Sequence, residues 1–319
     1  MIPDDRLAGW LGSAAARTAT TAAMAALALE LEVLPGLQSL RLGVERAAQA
    51  GADALLALAR SFIEDDSAIA GVIAAAVAAA SADPFCRPPF RATRNDVQDG
   101  LLLFSHPALV VQLATMNADA LAIKRACPDD RAPITFTGQR SLFRFLKGGG
   151  AVLSIWESPK GGGGRCRLRE RLRLAGGESL EIDGRQESFV VESARSDLVY
   201  AFASTSLEAG DLATEYDPRT LEPVATSSTD DAGSRAQMML ALLRTMGRRD
   251  SAPVFAAQLQ AGHFHARWQA MREFLALDAE LALPHLQAMA DGDPHDEVRT
   301  AAAETLAAFF REALSPCPA

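Results

Sequence analysis

Arginine at every second position is the most distinctive chemical pattern in this 319-residue chain. The five residues are Arg165, Arg167, Arg169, Arg171 and Arg173, and they alternate with Cys166, Leu168, Glu170, Leu172 and Leu174. Because successive side chains of a β-strand point to opposite faces, this spacing predicts a strand with one arginine face and one mostly apolar face. Guanidinium groups in such a row can bind a phosphate, a carboxylate or the acidic surface of a partner.

A solvated sheet face is the alternative interpretation of the arginine pattern. If the next strand, residues 179–183, forms a hairpin with the arginine strand, Arg171 lies opposite Glu181 and Arg169 lies opposite Asp183. Exposed ion pairs of this kind contribute about 0.2–1 kcal/mol each. We favour this alternative, but two acidic residues cannot serve five arginines, and the remaining arginines keep a binding role open.

The histidines offer no complete metal or catalytic set. His263 and His265 form an H-x-H pair at a predicted helix start, where two residues so spaced point in different directions, so we favour packing or capping. His295 with Glu297 matches the front of an H-x-[DE] iron triad, but no histidine follows to complete it. G-x-S-x-G, H-E-x-x-H and G-x-G-x-x-G motifs are also missing from the sequence. We therefore predict no metal, no cofactor and no catalytic residues, and a non-enzymatic role is favoured.

Composition and charge define the elements that must position these residues. Hydrophobic residues make up 49% of the chain and aromatic residues only 6%, which favours packed helices. The net charge is -9, which argues against binding to nucleic acid or to an anionic membrane. Residues 131–205, however, hold 12 basic and 8 acidic residues. This basic centre remains compatible with a local acidic partner.

Three regions follow from the periodicity of apolar residues and from the turn signals. Residues 1–130 are predicted to be helical, with their last helix over Pro107 to Ala126. Residues 131–229 contain about nine short, glycine-separated strands, which predict an antiparallel barrel or sandwich. Residues 230–319 return to a helical pattern. The predicted fold class is α+β.

The C-terminal region resembles HEAT repeats. The residues that carry the resemblance are Arg267, Trp268, Ala270 and Met271, then Ala282 to Leu286, and then Asp293 to Arg299 with Ala301 to Ala303 and Leu306. The pattern D-P-x-x-x-V-R-x-A-A-A-x-x-L is similar to the start of a HEAT-type helix. The resemblance covers about 60 residues and implies a scaffold that binds proteins, with Arg267 and Trp268 as candidate binding residues.

The central β region resembles a cupin-type jelly roll through its size and its glycine-punctuated strands from Leu172 to Tyr200. The cupin metal motif needs histidines within the strands, and no histidine occurs between Pro107 and Gly262. The resemblance therefore implies a metal-free version that can still hold a ligand.

The cysteines and the first residues bear on the compartment. The chain has four cysteines with no C-x-x-C pair, so it shows neither a disulfide framework nor a zinc pattern. The N-terminal residues lack the basic start of a signal peptide. The apolar stretches at 19–29 and 68–80 are too short to span a bilayer. These features predict a cytoplasmic protein with no membrane segment.

Two functions remain as hypotheses from the sequence. The first is a non-catalytic binding or regulatory module that holds a protein or peptide partner, for example an acidic one, through the HEAT-like helices and the arginine strand. The second is a cupin-like enzyme or small-molecule sensor with its site inside the β barrel, lined by Cys166, Glu170 or Tyr200. In the second case the β region should enclose an apolar cavity with a few convergent polar groups.

Overall fold

A computed structural model describes residues 4–127, 133–159, 164–210, 212–260 and 262–309 of the chain. The chain divides into two compact units, Met1–Thr229 and Asp230–Ala319. The predicted fold class is confirmed: the N-terminal region is helical, the centre consists of antiparallel sheets and the C-terminal region is helical. The finer division of the sequence at 130/131 and 229/230 stays a prediction.

Five helices begin the first unit. They are α1 (Asp4–Gly12), α2 (Ala14–Val33), α3 (Pro35–Ala50), α4 (Ala52–Ile63) and α5 (Asp66–Ala82). Local signals set their ends: Ser13 and Asp65 accept hydrogen bonds from backbone N–H groups of α2 and α5. Gly51 separates α3 from α4 with a φ of 108°, a conformation that favours glycine. The buried faces of α2 to α5 share one core, which includes Leu31, Leu40 and Leu55.

None of the described helices alone is both long and apolar enough to cross a bilayer, and among them only the bent pair α2–α3 meets the criteria of length and composition.

Twelve strands and one helix make up the β region of the described chain. The strands are β1 (Arg91–Arg94), β2 (Gln98–His106), β3 (Leu109–Met116), β4 (Ile134–Phe136), β5 (Arg140–Lys147), β6 (Val152–Glu157), β7 (Arg167–Arg173), β8 (Glu178–Asp183), β9 (Glu187–Ser193), β10 (Leu198–Thr205), β11 (Leu212–Tyr216) and β12 (Pro223–Ser228), and the helix is α6 (Ala118–Ala126). They form a six-stranded sheet in the order β1-β2-β3-β10-β5-β8 and two three-stranded sheets, β12-β11-β4 and β7-β6-β9. Every pairing is antiparallel.

The helix predicted over Pro107 to Ala126 is wrong in its first half. Leu109–Met116 is strand β3, which pairs with β2 on one side and β10 on the other, and only Ala118–Ala126 is helical. Asn117 separates the two elements and accepts a hydrogen bond from the Ala120 N–H, which caps α6. Leu109 and Val111 are buried in the core shared with the N-terminal helices. Tertiary pairing therefore decides the conformation of this alanine- and leucine-containing segment.

The predicted hairpin between the arginine strand and the following strand is also wrong. Strand β7 pairs with β6, whereas β8 pairs with β5 in the six-stranded sheet. The turn after β7 therefore carries the chain from one sheet to another. Glu181 instead receives hydrogen bonds from Arg60 and Arg140, so it is not the counter-ion of Arg171.

The second unit consists of helices, with a short 3-10 turn at Arg249–Ser251. The helices are α7 (Asp231–Thr245), α8 (Ala252–Gln258), α9 (Phe264–Leu277), α10 (Ala279–Gly292) and α11 (Asp296–Phe309). They share a separate core that includes Phe255, Phe274 and Leu286. The HEAT-like pattern has a direct structural meaning, since Val298, Ala302 and Leu306 recur every four residues and are all buried in this core.

Candidate functional site

A β-bulge divides the arginine strand. Cross-strand partners share a face, and Arg171 lies opposite Ser154 while Arg173 lies opposite Val152. The register shifts between Ile155 and Trp156. Ile155 pairs with Glu170 and Trp156 pairs with Leu168, so Arg169 has no partner residue on β6. One extra residue reverses the alternation, so Arg167 lies on the opposite face from Arg171. The prediction of a single arginine face is therefore wrong.

The burial of the alternating apolar residues agrees with this change of face. Cys166, before the bulge, is buried in a cluster with Ile134, Phe136 and Tyr216. Leu174, after the bulge, is buried in a different cluster with Leu153, Ile155 and Phe145. A regular strand would place Cys166 and Leu174 on the same face, but here they face two different cores. All five arginines remain exposed.

Three of the five arginines have carboxylate partners. Arg165 contacts Glu222 at 2.9 Å, Arg167 contacts Glu157, and Arg169 contacts both Glu170 and Glu187. Within the described part of the chain, Arg171 and Arg173 form no hydrogen bond or ion pair. The capacity for binding an anion is therefore concentrated at the C-terminal end of β7. Whether any of the five binds a partner stays a prediction.

Arg267, the first candidate in the HEAT-like segment, is buried in a salt bridge. Its Nε and Nη2 atoms donate to the two carboxylate oxygens of Asp293 at 2.8 and 2.7 Å. The side chains are only 8% and 4% exposed. The hydrogen bond from Arg267 holds the pKa of Asp293 below its usual value. This geometry indicates that Arg267 ties α9 to the α10–α11 turn, and its role in binding stays a prediction.

Trp268, the second candidate in this segment, is half-buried beside a surface groove of about 450 Å³. The groove is also lined by Arg272, Leu275 and Phe309. Trp268 and Arg267 are adjacent in α9, so their side chains point about 100° apart and do not form a joint site. Arg267 forms the ion pair with Asp293, and Trp268 lines the groove.

Helix α7 carries an apolar surface that the sequence analysis did not identify. Met238, Met239, Leu242 and Met246 are each 51–61% exposed. At 3.6 residues per turn these four side chains fall within about 100° of arc. We call them the α7 methionine face. Leu240, on the other side of the helix, is buried in the core of the second unit. The signal in the sequence was a helix with apolar residues on two faces, where a surface helix normally has one.

A cavity of about 580 Å³ lies within the β region. Aromatic rings form much of its wall: they belong to Phe143, Phe145, Phe189, Tyr200 and Phe202. The Phe143 ring is the centre of this cluster, 4.8 Å from Phe189 and 5.4 Å from Phe202 between ring centroids. Both volume and lining are those of a pocket for a small, mostly apolar molecule.

A few polar groups converge on this aromatic cavity. The Tyr200 hydroxyl donates to the Gln98 side-chain oxygen at 2.8 Å. Burial raises the pKa of Tyr200 well above its usual value, so the hydroxyl keeps its proton as a neutral donor. Of the three residues expected to line a barrel site, Tyr200 does so. Cys166 is instead buried in another cluster, and Glu170 is exposed beside Arg169.

The histidines considered for metal chemistry lie in the second unit. His263 and His265 lie at the start of α9 with their ring centroids 5.5 Å apart. His295 stacks on Phe264 at 3.9 Å. No group of three or more His, Cys, Asp or Glu side chains within the described ranges could hold a metal ion. Cys86, Cys127 and Cys166 are free thiols, and Cys317 lies outside the described residues.

A comparison with protein-family models supports the HEAT resemblance. Residues 218–307 match the family model described as HEAT repeats, which confirms the resemblance of the C-terminal segment and covers less than a third of the chain. HEAT repeats are commonly protein-interaction modules. No curated protein matches the sequence.

Several solved structures are similar to part of this chain at low identity. One is ectoine synthase from P. lautus, with 12% identity over 36% of this chain and 67% of that chain and a TM-score of 0.23. Another is KdgF from Halomonas sp., with 12% identity over 36% of this chain and 86% of that chain and a TM-score of 0.23. The cupin domain of Schizosaccharomyces pombe Cnp3 has 9% identity over 34% of this chain and 60% of that domain, with a TM-score of 0.23.

Proposed function

We propose that this protein is a binding module that holds a partner protein through its HEAT-like helices, with the α7 methionine face as the main contact. The observation that carries the proposal is the apolar outer face of α7 at the first helix of the HEAT-like unit. Terminal helices of stacked repeats normally present a polar outer face to water. An apolar outer face at such an end is suited to contact with a further helix or with a partner surface.

The chemistry of the α7 face also defines the kind of partner. Methionine side chains are flexible and polarisable, so they adapt to partner surfaces of different shapes. The partner should therefore present an apolar patch, such as the apolar side of an amphipathic helix. Arg171 and Arg173, which lack carboxylate partners among the described residues, add positive charge in the other unit. These arginines are suited to an acidic segment of a partner.

Site-specific photo-crosslinking tests the role of the α7 face. A benzophenone amino acid replaces Leu242, which is 51% exposed, and the matched control carries it at Ile123 on α6, which is 68% exposed. We expect a discrete crosslink to a second protein in the source cells from position 242 and none from position 123. The crosslinked peptide identifies the contacting chain by mass spectrometry.

Other crosslinking results would contradict the proposal. A crosslink from position 242 to this same polypeptide would show that the face is covered within the chain. A crosslink to a second copy would show self-association instead of partner binding. The Met239→Gln/Met246→Gln variant provides the second check. Replacing central interface anchors commonly costs 1 kcal/mol or more of binding free energy, which is about a fivefold or larger loss of affinity. Unchanged affinity for the crosslinked partner would also contradict the role of this face.

A small-molecule sensor is the second candidate, and the aromatic cavity favours it. The cavity of about 580 Å³ falls within the usual range for ligand sites, and Tyr200 and Gln98 supply a polar pair at its wall. A thermal-shift screen with metabolites tests this function in the wild-type protein and in the Ser204→Trp variant, which fills the space from the cavity wall. A stabilising compound should lose its effect in the variant. If it stabilises both proteins equally, it binds elsewhere.

A further inference from the structure

A second cleft, of about 390 Å³, lies on the face of β6 that carries Ser154 and Trp156. This face is opposite to the one that carries Leu153 and Ile155, which belong to the core cluster that includes Phe145 and Tyr200. The cleft has three charged liners, Arg125, Arg171 and Glu192, and an apolar wall formed by Ile134, Trp156 and Val190. It shares the lining residues Arg125 and Val190 with the aromatic cavity, whereas Arg171 and Glu192 line the cleft and not that cavity.

Neither arginine of this cleft has a carboxylate partner within the described residues. Arg125, in the last turn of α6, donates from Nη2 to the Val191 carbonyl oxygen at 2.8 Å, and its buried Nε has no hydrogen-bond partner. Arg171 forms no hydrogen bond with the described chain. A buried donor without a partner costs free energy unless a ligand or water satisfies it. Two guanidinium groups with free donors thus line one cleft.

Glu192 is held in place by its neighbours and limits the charge that the cleft can accept. The Ser154 hydroxyl donates to Glu192 Oε1 at 2.6 Å, and the Trp156 indole N–H donates to the Ser154 oxygen at 2.9 Å. Ser154 is fully buried, so this chain of hydrogen bonds is shielded from water. Two cations and one fixed anion leave one net positive charge to be matched.

We propose that this cleft is a binding site for an organic monocarboxylate with an apolar or aromatic body. The carboxylate would accept hydrogen bonds from Arg171 and from Arg125, including its unpartnered Nε, and the body would lie against Trp156 and Val190. A dianion such as phosphate is disfavoured because the carboxylate of Glu192 repels the second negative charge. A cation is disfavoured because both arginines repel it. The same chemistry is offered by a free acid and by the C-terminal residue of a peptide, and the test below separates these sources.

Titration calorimetry with chosen probes tests the site in the full-length protein. The probes are phenylacetate, a tetrapeptide ending in phenylalanine, the amides of both, and inorganic phosphate. We expect 1:1 binding of the two carboxylates, with little or no binding of the amides or of phosphate. Tighter binding of the peptide would identify a chain terminus as the source, and tighter binding of phenylacetate would identify a free acid. The indole N–H resonance of Trp156, assigned with Trp156→Phe, should shift with the same affinity.

The structure offers a matched pair of variants on one strand. Arg171 and Arg173 share a face of β7, and both are exposed and free of partners among the described residues, but only Arg171 lines the cleft. Arg171→Gln should weaken binding of the carboxylate by about 10- to 100-fold, the usual effect of losing a charged hydrogen-bond partner. Arg173→Gln should change it by about twofold or less. Glu192→Gln should make phosphate a detectable ligand.

Several outcomes would overturn the proposal. Equal weakening in Arg171→Gln and Arg173→Gln would indicate diffuse attraction by the strand and no site. Equal binding of acids and amides would show that the carboxylate is not recognised, and absence of saturable binding would show that there is no site for it. Asp129 and Asp130 lie outside the described residues. Binding that emerges only in the Asp129→Asn/Asp130→Asn variant would show that the cleft serves the carboxylates of this chain.

Discussion

Replacing Asp293 with alanine should destabilise the second unit strongly, because it leaves a buried guanidinium without its counter-ion. Arg267 donates two hydrogen bonds to the Asp293 carboxylate, and a third from Nη1 to the Gly262 carbonyl oxygen at 3.0 Å. Asp293 also accepts the His295 N–H at 2.9 Å, close to the start of α11. Both charged side chains are at least nine-tenths buried. Water therefore cannot replace the lost carboxylate at low cost.

The magnitude follows from the burial of the pair. Removing one partner of a buried ion pair costs about 3–5 kcal/mol, because the remaining charge is uncompensated. The whole unfolding free energy of a small domain is about 5–15 kcal/mol. The Asp293→Ala variant should therefore leave the helices α9–α11 only marginally stable. In contrast, removing both charges in Arg267→Met/Asp293→Leu should be milder than Asp293→Leu alone by about 2 kcal/mol or more.

Urea unfolding followed by circular dichroism at 222 nm measures these differences. The second unit contains its own control, the exposed bidentate pair Arg248–Asp250, with donor–acceptor distances of 2.8 and 2.7 Å. Its side chains are 51% and 65% exposed, so Asp250→Ala should change stability little. Equal effects of Asp293→Ala and Asp250→Ala would refute the argument that burial determines the cost. Additive effects of the Arg267 and Asp293 substitutions would refute the coupling.

Three further predictions follow from local geometry. Because the folded pKa of Asp293 is lowered below its unfolded value of about 4, native Asp293 binds fewer protons than the unfolded chain. The contribution of Asp293 to the free energy of unfolding is thus complete above that value and is lost as the pH falls below it. Asp293→Asn should reduce this dependence of the unfolding free energy on acid pH, as measured by unfolding curves. Gly149 and Gly247 have φ values of 59° and 65°, but a Cβ at Gly149 would lie 2.2 Å from the Ser196 carbonyl oxygen and one at Gly247 would meet open space. Gly247→Ala should cost about 1–2 kcal/mol and Gly149→Ala clearly more, and equal melting temperatures would contradict this. Phe145→Ala, at a fully buried residue of the cavity wall, should cost about 3–5 kcal/mol in urea titrations, and a cost below 1 kcal/mol would mean that the wall collapses into the cavity.

The helices were predictable from the sequence where local signals mark their ends. Asp65 accepts hydrogen bonds at the start of α5, and Gly51 separates α3 from α4. The HEAT-like motif was also recognisable, because Val298, Ala302 and Leu306 repeat at the spacing of one buried helix face. Such signals act within a few residues of each other, and the tertiary structure leaves them unchanged.

Strand pairing depended on information that local patterns do not contain. Val111 belongs to a segment that fits a helix by its neighbours, yet it is buried in a strand between β2 and β10. The turn at Gly176–Gly177 was predicted to join two paired strands of a hairpin, but it connects β7 of one sheet with β8 of another. Distant partners contribute to both outcomes, since Val111 pairs with Ala203 of β10 and Leu180 of β8 pairs with Phe143 of β5.

The bulge at Arg169 shows why the arginine pattern was both informative and misleading. Alternation predicts a shared face only for a strand without an extra residue, and a single bulge exchanges the two faces beyond it. Arg167 therefore forms an ion pair with Glu157, whereas Arg171 lines the cleft that is also lined by Arg125. A regular strand would have placed all five guanidinium groups on one face, where the available acids could at best neutralise some of them. The bulge instead separates arginines with carboxylate partners from those without, and the proposed carboxylate site depends on this separation.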